Sequence, residues 1–201
     1  MSLSDEFTRI TGRSGFYNIM PIKNLPSVLQ YGILSYEQVA NVPHDSVAMS
    51  EIQSRRDDVC IPNGMRLHEY ANVYFDARNP MLYKRRQEDI CVLKISPQIL
   101  ELSDVVVADR NASSDYVRFF EPQYALDRLY FDLIYAEFWN DDDYFEYLKK
   151  KSIKCAELLV PYTINPAYII AAAVKDDNDR DRLISMGFNK RIYVDKHLFF
   201  G

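Results

Sequence analysis

Apolar residues fall in short runs along this chain, and most runs are of strand length. "FYNIM" (residues 16–20) meets Pro21, which suits a strand that stops at a turn. In "IKNLPSVLQYGIL" the positions Leu25, Val28 and Leu29 follow helical spacing and Gly32 follows as a C-cap, so a short helix is predicted next. "DICVLKIS" alternates with Ile90, Val92 and Leu93 available to a core, and "DVVVAD" is a further short strand. "CAELLVP", "YIIAAAV" and "RIYVD" read as late strands, with "DRDRLISMGF" a short helix before the last.

Between these runs, residues 35–70 are polar and irregular. "SEIQSRRDD" has the composition of a helical segment, and "CIPNGMRLHEY" is a loop carrying Pro62, Asn63 and Gly64. "NVYFDARNPMLYKRR" begins as a strand and turns at Asn79-Pro80. Residues 119–151 are aromatic and acidic, with "LYFDLIYAEFW" near helical spacing and "DDDYFEYLKKK" placing acids before bases, the order that a helix dipole favours. Strands and helices mix with no linker or low-complexity boundary. The pattern predicts an α+β fold in one domain spanning residues 1–201.

Composition narrows the classes. A length of 201 residues with 48% hydrophobic and 26% charged residues is that of a globular chain with a real core. The net charge of −5 argues against a surface coated in positive charge, yet a local basic groove is compatible with an acidic total. Cys60, Cys91 and Cys155 are odd in number and widely spaced, so neither a disulfide framework nor a zinc site is signalled and a reducing cytoplasm fits. No apolar run approaches a membrane span, and no basic-then-apolar leader opens the chain. Fifteen tyrosines and eleven phenylalanines are available to stack on bases, although core packing is the commoner use of such residues.

Familiar nucleotide and hydrolase motifs are absent. There is no G-x-G-x-x-G, no Walker loop and no G-x-S-x-G elbow, and His44, His68 and His197 have no metal-ligand spacing. The acids of "NDDD" with Glu146 sit where a helix start expects acids, so no metal is predicted. What stands out is Glu157, the one acid inside the apolar run "KCAELLVP". It reads either as a carboxylate on an edge strand meeting water or as a site carboxylate. "IQSRR" offers Arg55 and Arg56, whose guanidinium forks suit a pyrophosphate but equally suit an exposed helix. Around "YFDARNPMLYKRR", aromatics alternate with Arg78, Lys84, Arg85 and Arg86, a mixture suited to single-stranded nucleic acid or to a basic strand-edge turn.

Taken in order, "FYNIMPIKNLPSVLQYGIL", "AMSEIQSRR", "HEYANVYFDARNPMLY", "DRNASSDYVRFF" and "KCAELLVP" resemble the DarT family, toxins that use NAD to ADP-ribosylate bases in single-stranded DNA. The resemblance implies an ADP-ribosyltransferase fold: a split, two-sheet β core with helices around a cleft. It places Glu157 as the catalytic glutamate and Arg56 as the arginine that contacts NAD. It also implies that Tyr17, Asn18, Asn24, Tyr74, Met81 and Tyr83 surround NAD. "DRNASSDYVRFF" would lead into the loop that faces the substrate base, with Arg78, Lys84, Arg85, Arg86 and Arg118 on DNA phosphates. Where family members commonly read aromatic-His-Ile-Thr, this chain reads Tyr17-Asn18-Ile19-Met20. Asn18 has a donor and an acceptor to replace the histidine, and both a thymine-modifying and a guanine-modifying branch stay open. A toxin of this kind implies a neutralising ADP-ribosyl hydrolase, of macrodomain or NADAR type. A transferase fold that only binds single-stranded nucleic acid, and a transferase acting on RNA or protein, are the competing readings.

Overall fold

The computed structural model describes residues 1–40, 42, 56, 57 and 59–201. The helix expected over "SEIQSRRDD" lies outside these residues except for its last turn at Arg56 and Asp57, and Arg55 and His44 also lie outside.

Eight strands form one hydrogen-bonded sheet in the order β10-β9-β4-β1-β3-β7-β5-β6. They are β1 (Phe16–Pro21), β3 (Tyr70–Tyr74), β4 (Ile90–Ile95), β5 (Val106–Ala108), β6 (Phe119–Phe120), β7 (Glu157–Pro161), β9 (Ile169–Val174) and β10 (Arg191–Val194). A two-stranded ribbon of β2 (Ile33–Leu34) and β8 (Thr163–Ile164) stands apart. The sheet is nearly severed in the middle. β1 pairs with β4 over six residues and β3 with β7 over five, whereas β1 and β3 share only the pair Tyr17↔Tyr74. The α+β class and the split core are therefore both present, the halves being joined at one rung.

The main core covers one face, where Phe7, Phe16 and Phe75 make a cluster with ring centroids 4.8 and 5.0 Å apart. Phe7 comes from an N-terminal helix, Leu3–Thr11, that the apolar pattern did not signal. Ser2 and Asp5 form its capping box, and Gly12 ends it in the left-handed region at φ 65°. The predicted helix after β1 is Leu25–Tyr31. Gly32 follows it at φ 85°, and a Cβ there would stand 2.3 Å from the Ile164 carbonyl, so only glycine lets β2 lie against β8.

Asn79-Pro80 starts a helix, Pro80–Arg85, and is not a simple turn. The Asn79 carboxamide oxygen accepts from the N–H groups of Met81 and Leu82, and Pro80 takes the first helical position. In the aromatic segment the longest helix is Tyr144–Ile153, capped by Asp143 and preceded by two single turns, Pro122–Ala125 and Phe131–Ile134. Among the described residues no helix is long and apolar enough to cross a membrane.

A buried ion pair locks the ends of β3 and β7 together. Lys154, 1% exposed, gives its ammonium to the Asp76 carboxylate and to the Ile134 carbonyl at 2.9 Å. Burial lowers the Lys154 pKa, with Asp76 opposing the shift. Removing one partner of such a pair leaves a charge without compensation. Lys154→Met is expected to destabilise the protein by about 3 kcal/mol in denaturant unfolding. Asp76→Asn added to it should then cost little more, because the two charges act as one unit.

Candidate active site

The residues that carry the site stand in one row across the sheet. Tyr17 opposes Tyr74, Tyr74 opposes Glu157, and Glu157 opposes Ala108. Residues directly opposite share a face, so this register sets tyrosine and carboxylate side by side. β7 lies inside the sheet, between β3 and β5, and Glu157 is fully buried. That removes the reading of an edge-strand carboxylate meeting water.

The buried charge is met from two directions. Arg56 Nη1 lies 3.3 and 3.2 Å from the two Glu157 oxygens, and the Ala112 N–H donates to Oε1 at 3.0 Å. Arg56 is itself buried, at 7% exposure, yet it lines the cleft, whereas Glu157 does not and meets the lining through Arg56. Beside the pair, burial and the neighbouring Glu157 charge push the Tyr74 hydroxyl well above the ordinary tyrosine range. Cys155, on the same side, is driven to about 12, first by burial and then by Glu157. Both groups are neutral at physiological pH.

Two anchors hold the donors. Asp57 lies 3.0 Å from His68 Nδ1, and the His68 ring packs on Tyr36 with centroids 4.3 Å apart. The chain is thus fixed directly after Arg56. Ala112 belongs to the loop 110–118, whose two ends are tied to the fully buried Asp109. Asp109 accepts from Arg110 Nε at 3.0 Å, from the Arg118 backbone N–H at 3.0 Å and from Arg118 Nε at 2.9 Å. Burial disfavours the Asp109 charge, but these bonds outweigh it and the pKa falls below the usual carboxylate value.

The split between β1 and β3 opens into a cleft of about 1770 Å³, well beyond the roughly 300–1,000 Å³ of a small-molecule site. It has room for a dinucleotide and for part of a second substrate. Eight Lys or Arg side chains line it among the described residues, against the two acids Asp115 and Glu137, although the whole chain carries −5. Such a cleft suits a polyanion. Among the described residues no three His, Cys, Asp or Glu side chains gather as metal ligands.

The residues named from the sequence divide. Asn18, Asn24, Tyr74, Met81, Tyr83, Arg78, Lys84, Arg86 and Arg118 line the cleft with Arg56. Asn18 bridges the seam, its Nδ2 donating to the Asn72 carbonyl at 3.3 Å. Tyr17 is not a lining residue; it packs against a smaller core cluster that includes Ile19, Leu82, Ile90 and Val92. Arg85 is not one either, since its guanidinium pairs with Glu88 at 2.8 Å. Arg78 lines the cleft but is engaged: it donates to the carbonyls of Glu137 at 2.8 Å and His197 at 3.3 Å and lies 4.3 Å over the Phe200 ring. Sequence reasoning missed Arg110, Trp139, Lys149 and Lys151 in the lining. For Trp139, Lys149 and Lys151 the only signal was an aromatic-rich stretch that ends in three lysines, and for Arg110 it was its place in "DRNASSDYVRFF".

Comparison with known proteins agrees with this geometry. The family model described as "ssDNA thymidine ADP-ribosyltransferase, DarT" matches residues 17–200. The chain belongs to the DarT family. It is 29% identical over 194 residues to a Thermosipho africanus (strain H17ap60334) protein named a DNA ADP-ribosyl transferase-DNA ADP-ribosyl glycohydrolase fusion, covering 92% of this chain and 49% of that one. The structure of Thermus sp. 2.9 DarT in complex with ADP-ribosylated ssDNA superposes with a TM-score of 0.79 at 28% identity, over 92% of this chain and 95% of that one. The same Thermus DarT in complex with NAD+ gives 0.76 at 26% identity, over 92% and 96%. The chain spans about half to two-thirds of the length of the curated relatives it matches.

For Asp109 the linkage has a definite sign. A folded-state pKa below the ordinary value contributes stability in full above that value and loses it as pH falls through the folded pKa. Asp109→Asn is therefore expected to lower the melting temperature at neutral pH and to flatten its decline on acidification. Melting curves of both proteins from neutral pH through the carboxylate range check this, and parallel declines would contradict it.

Proposed function

We propose that this DarT-family chain is an NAD-dependent transferase that places ADP-ribose on a nucleobase of single-stranded DNA. The observation that carries the reading is the buried Glu157–Arg56 pair, whose guanidinium lines a cation-rich cleft. The relatives solved with NAD+ and with ADP-ribosylated ssDNA support the same substrates here.

In this reading NAD lies across the seam. Asn18 and Asn24 hold the ribose side, Arg56 faces the pyrophosphate, and Tyr74, Met81 and Tyr83 wall the nicotinamide. The bond from ribose C1′ to the nicotinamide nitrogen breaks, and its electron pair leaves with nicotinamide. Positive charge develops on the sugar, as in glycoside chemistry. A ring or exocyclic nitrogen of the base then forms the new bond to C1′. Glu157 stabilises the developing cation, grips a ribose hydroxyl and takes the proton that the base nitrogen gives up. A carboxylate buried against one guanidinium and one N–H is already oriented for these tasks, so little reorganisation is needed when charge appears. Lys84, Arg86 and Arg118 meet DNA phosphates, and the loop 110–118 faces the acceptor base.

The partner of such an activity is an ADP-ribosyl hydrolase that removes the mark, of macrodomain or NADAR type. The relative that joins a transferase to a glycohydrolase in one chain supports this pairing. The chain then acts as the toxin of the pair, as a single transferase domain over residues 1–201 in the cytoplasm.

The test is incubation with NAD and a mixed pool of single-stranded oligonucleotides, read by mass spectrometry. One ADP-ribose should be added, on thymine or guanine as fragmentation will show, and Glu157→Ala should lower the yield by at least 100-fold. Intact NAD and unmodified DNA would overturn the transferase reading in favour of a binding module. NAD consumed without a DNA adduct would move the acceptor to RNA or protein.

A further inference from the structure

Residues 138–151 form one wall of the cleft, and their composition in space differs from their composition in sequence. The stretch is acidic on paper, with Asp141, Asp142, Asp143 and Glu146. None of these four lines the cleft. Asp143 caps the helix Tyr144–Ile153 and Asp141 pairs with Lys150 at 2.5 Å, while Glu146 pairs with the cleft-lining Lys149 at 3.1 Å in an exposed i,i+3 contact that is worth little and that a phosphate can displace. What the wall turns toward the cleft is aromatic and basic: Phe138, Trp139, Phe145 and Tyr147, with Lys149 and Lys151.

Two of these rings are uncovered to a degree that packing does not explain. Phe138 is 64% exposed and Phe145 is 77% exposed, whereas the core phenylalanines Phe7, Phe16 and Phe75 are fully buried. Trp139, in contrast, is edge-packed on Tyr83 and Phe200 at 5.9 and 6.1 Å, which makes a rigid base for its neighbour Phe138. Exposed rings interleaved with lysines, on the wall of a cleft rich in cations, match the chemistry of a single strand, whose bases stack while its phosphates meet ammonium groups. An apolar protein partner would not call for the lysines, and a free dinucleotide would not require rings spread over this length of chain.

We propose that the acceptor strand runs along this wall, with flanking nucleobases stacked on Phe138 and Phe145 and phosphates placed on Lys149 and Lys151. This deepens the DNA-transferase reading and rests on it. The wall holds the strand, and Glu157 and Arg56 act on the one base delivered to the floor. Stacking accepts any base, so the wall supplies affinity, while base choice is made at the loop 110–118.

The experiment is titration of a fluorescein-labelled, mixed-sequence single-stranded oligonucleotide into the wild-type chain, the Phe138→Ala/Phe145→Ala variant and the Lys149→Gln/Lys151→Gln variant. NAD binding and melting temperature are measured in parallel as controls of the fold. The phenylalanine variant is expected to bind the strand at least tenfold more weakly, with NAD binding and melting temperature kept because both rings are exposed. The lysine variant should reduce the slope of log affinity against log salt by about 0.7 for each phosphate that is no longer neutralised. Wild-type strand affinity and salt slope in both variants would overturn the wall while leaving the transferase reading intact. A wild-type protein that binds NAD but no strand would overturn both.

Discussion

A carboxylate with no exposed surface persists only where its charge is met, and the architecture around Glu157 is arranged to meet it. Arg56 supplies the guanidinium and Ala112 the backbone N–H. Each donor needs its own support, and the support radiates outward. Asp57 and His68 fix the chain after Arg56, and Asp109 ties both ends of the loop that carries Ala112. Lys154 and Asp76 fasten the residues next to Glu157 and Tyr74. Two carboxylate–cation contacts, at Asp109 and at Asp76, and one carboxylate–imidazole contact, Asp57 to His68, thus surround one buried carboxylate. A pair that is replaced by apolar residues is often no less stable, so the retention of this one points to use and not to stability.

The single rung between β1 and β3 is the other half of the design. Were the strands paired along their length, the main core would continue unbroken and no cleft would form. Asn18 stays at the seam, bonded to the Asn72 carbonyl, where a ligand can compete for both groups. The cleft that results concentrates cations on a chain that is acidic overall. Positive potential is therefore local, which favours a polyanion in the cleft over nonspecific contact with the rest of the surface.

Several parts of this were legible in the sequence. The apolar runs of β4, β7 and β9 signalled strands, and the lone acid in β7 stood out, although the pattern alone left an edge-strand carboxylate and a site carboxylate both open. Helix ends were less legible. Asn79-Pro80 reads as a turn, yet the same residues make an N-cap and a first helical position, and only the bonds to Met81 and Leu82 separate the two uses. The N-terminal helix had its signal in Ser2 and Asp5, but a short amphipathic opening gave little periodicity to weigh. Orientation was not legible at all. Arg85 and Arg86 are adjacent in sequence, yet one pairs with Glu88 and the other faces the cleft. The split of the sheet is a property of pairing between distant strands, and the family resemblance carried that expectation where residue patterns did not.

If the Glu157–Arg56 pair is kept for chemistry, the fold should survive without it and the reaction should not. The most direct measurement replaces both residues at once, in Arg56→Met/Glu157→Leu, and reads melting temperature together with ADP-ribose transfer to single-stranded DNA. The predicted result is a fold at least as stable as the wild type and no detectable transfer. Transfer that survives in this variant would contradict a catalytic role for the pair, and so would a fold that collapses once both charges are gone.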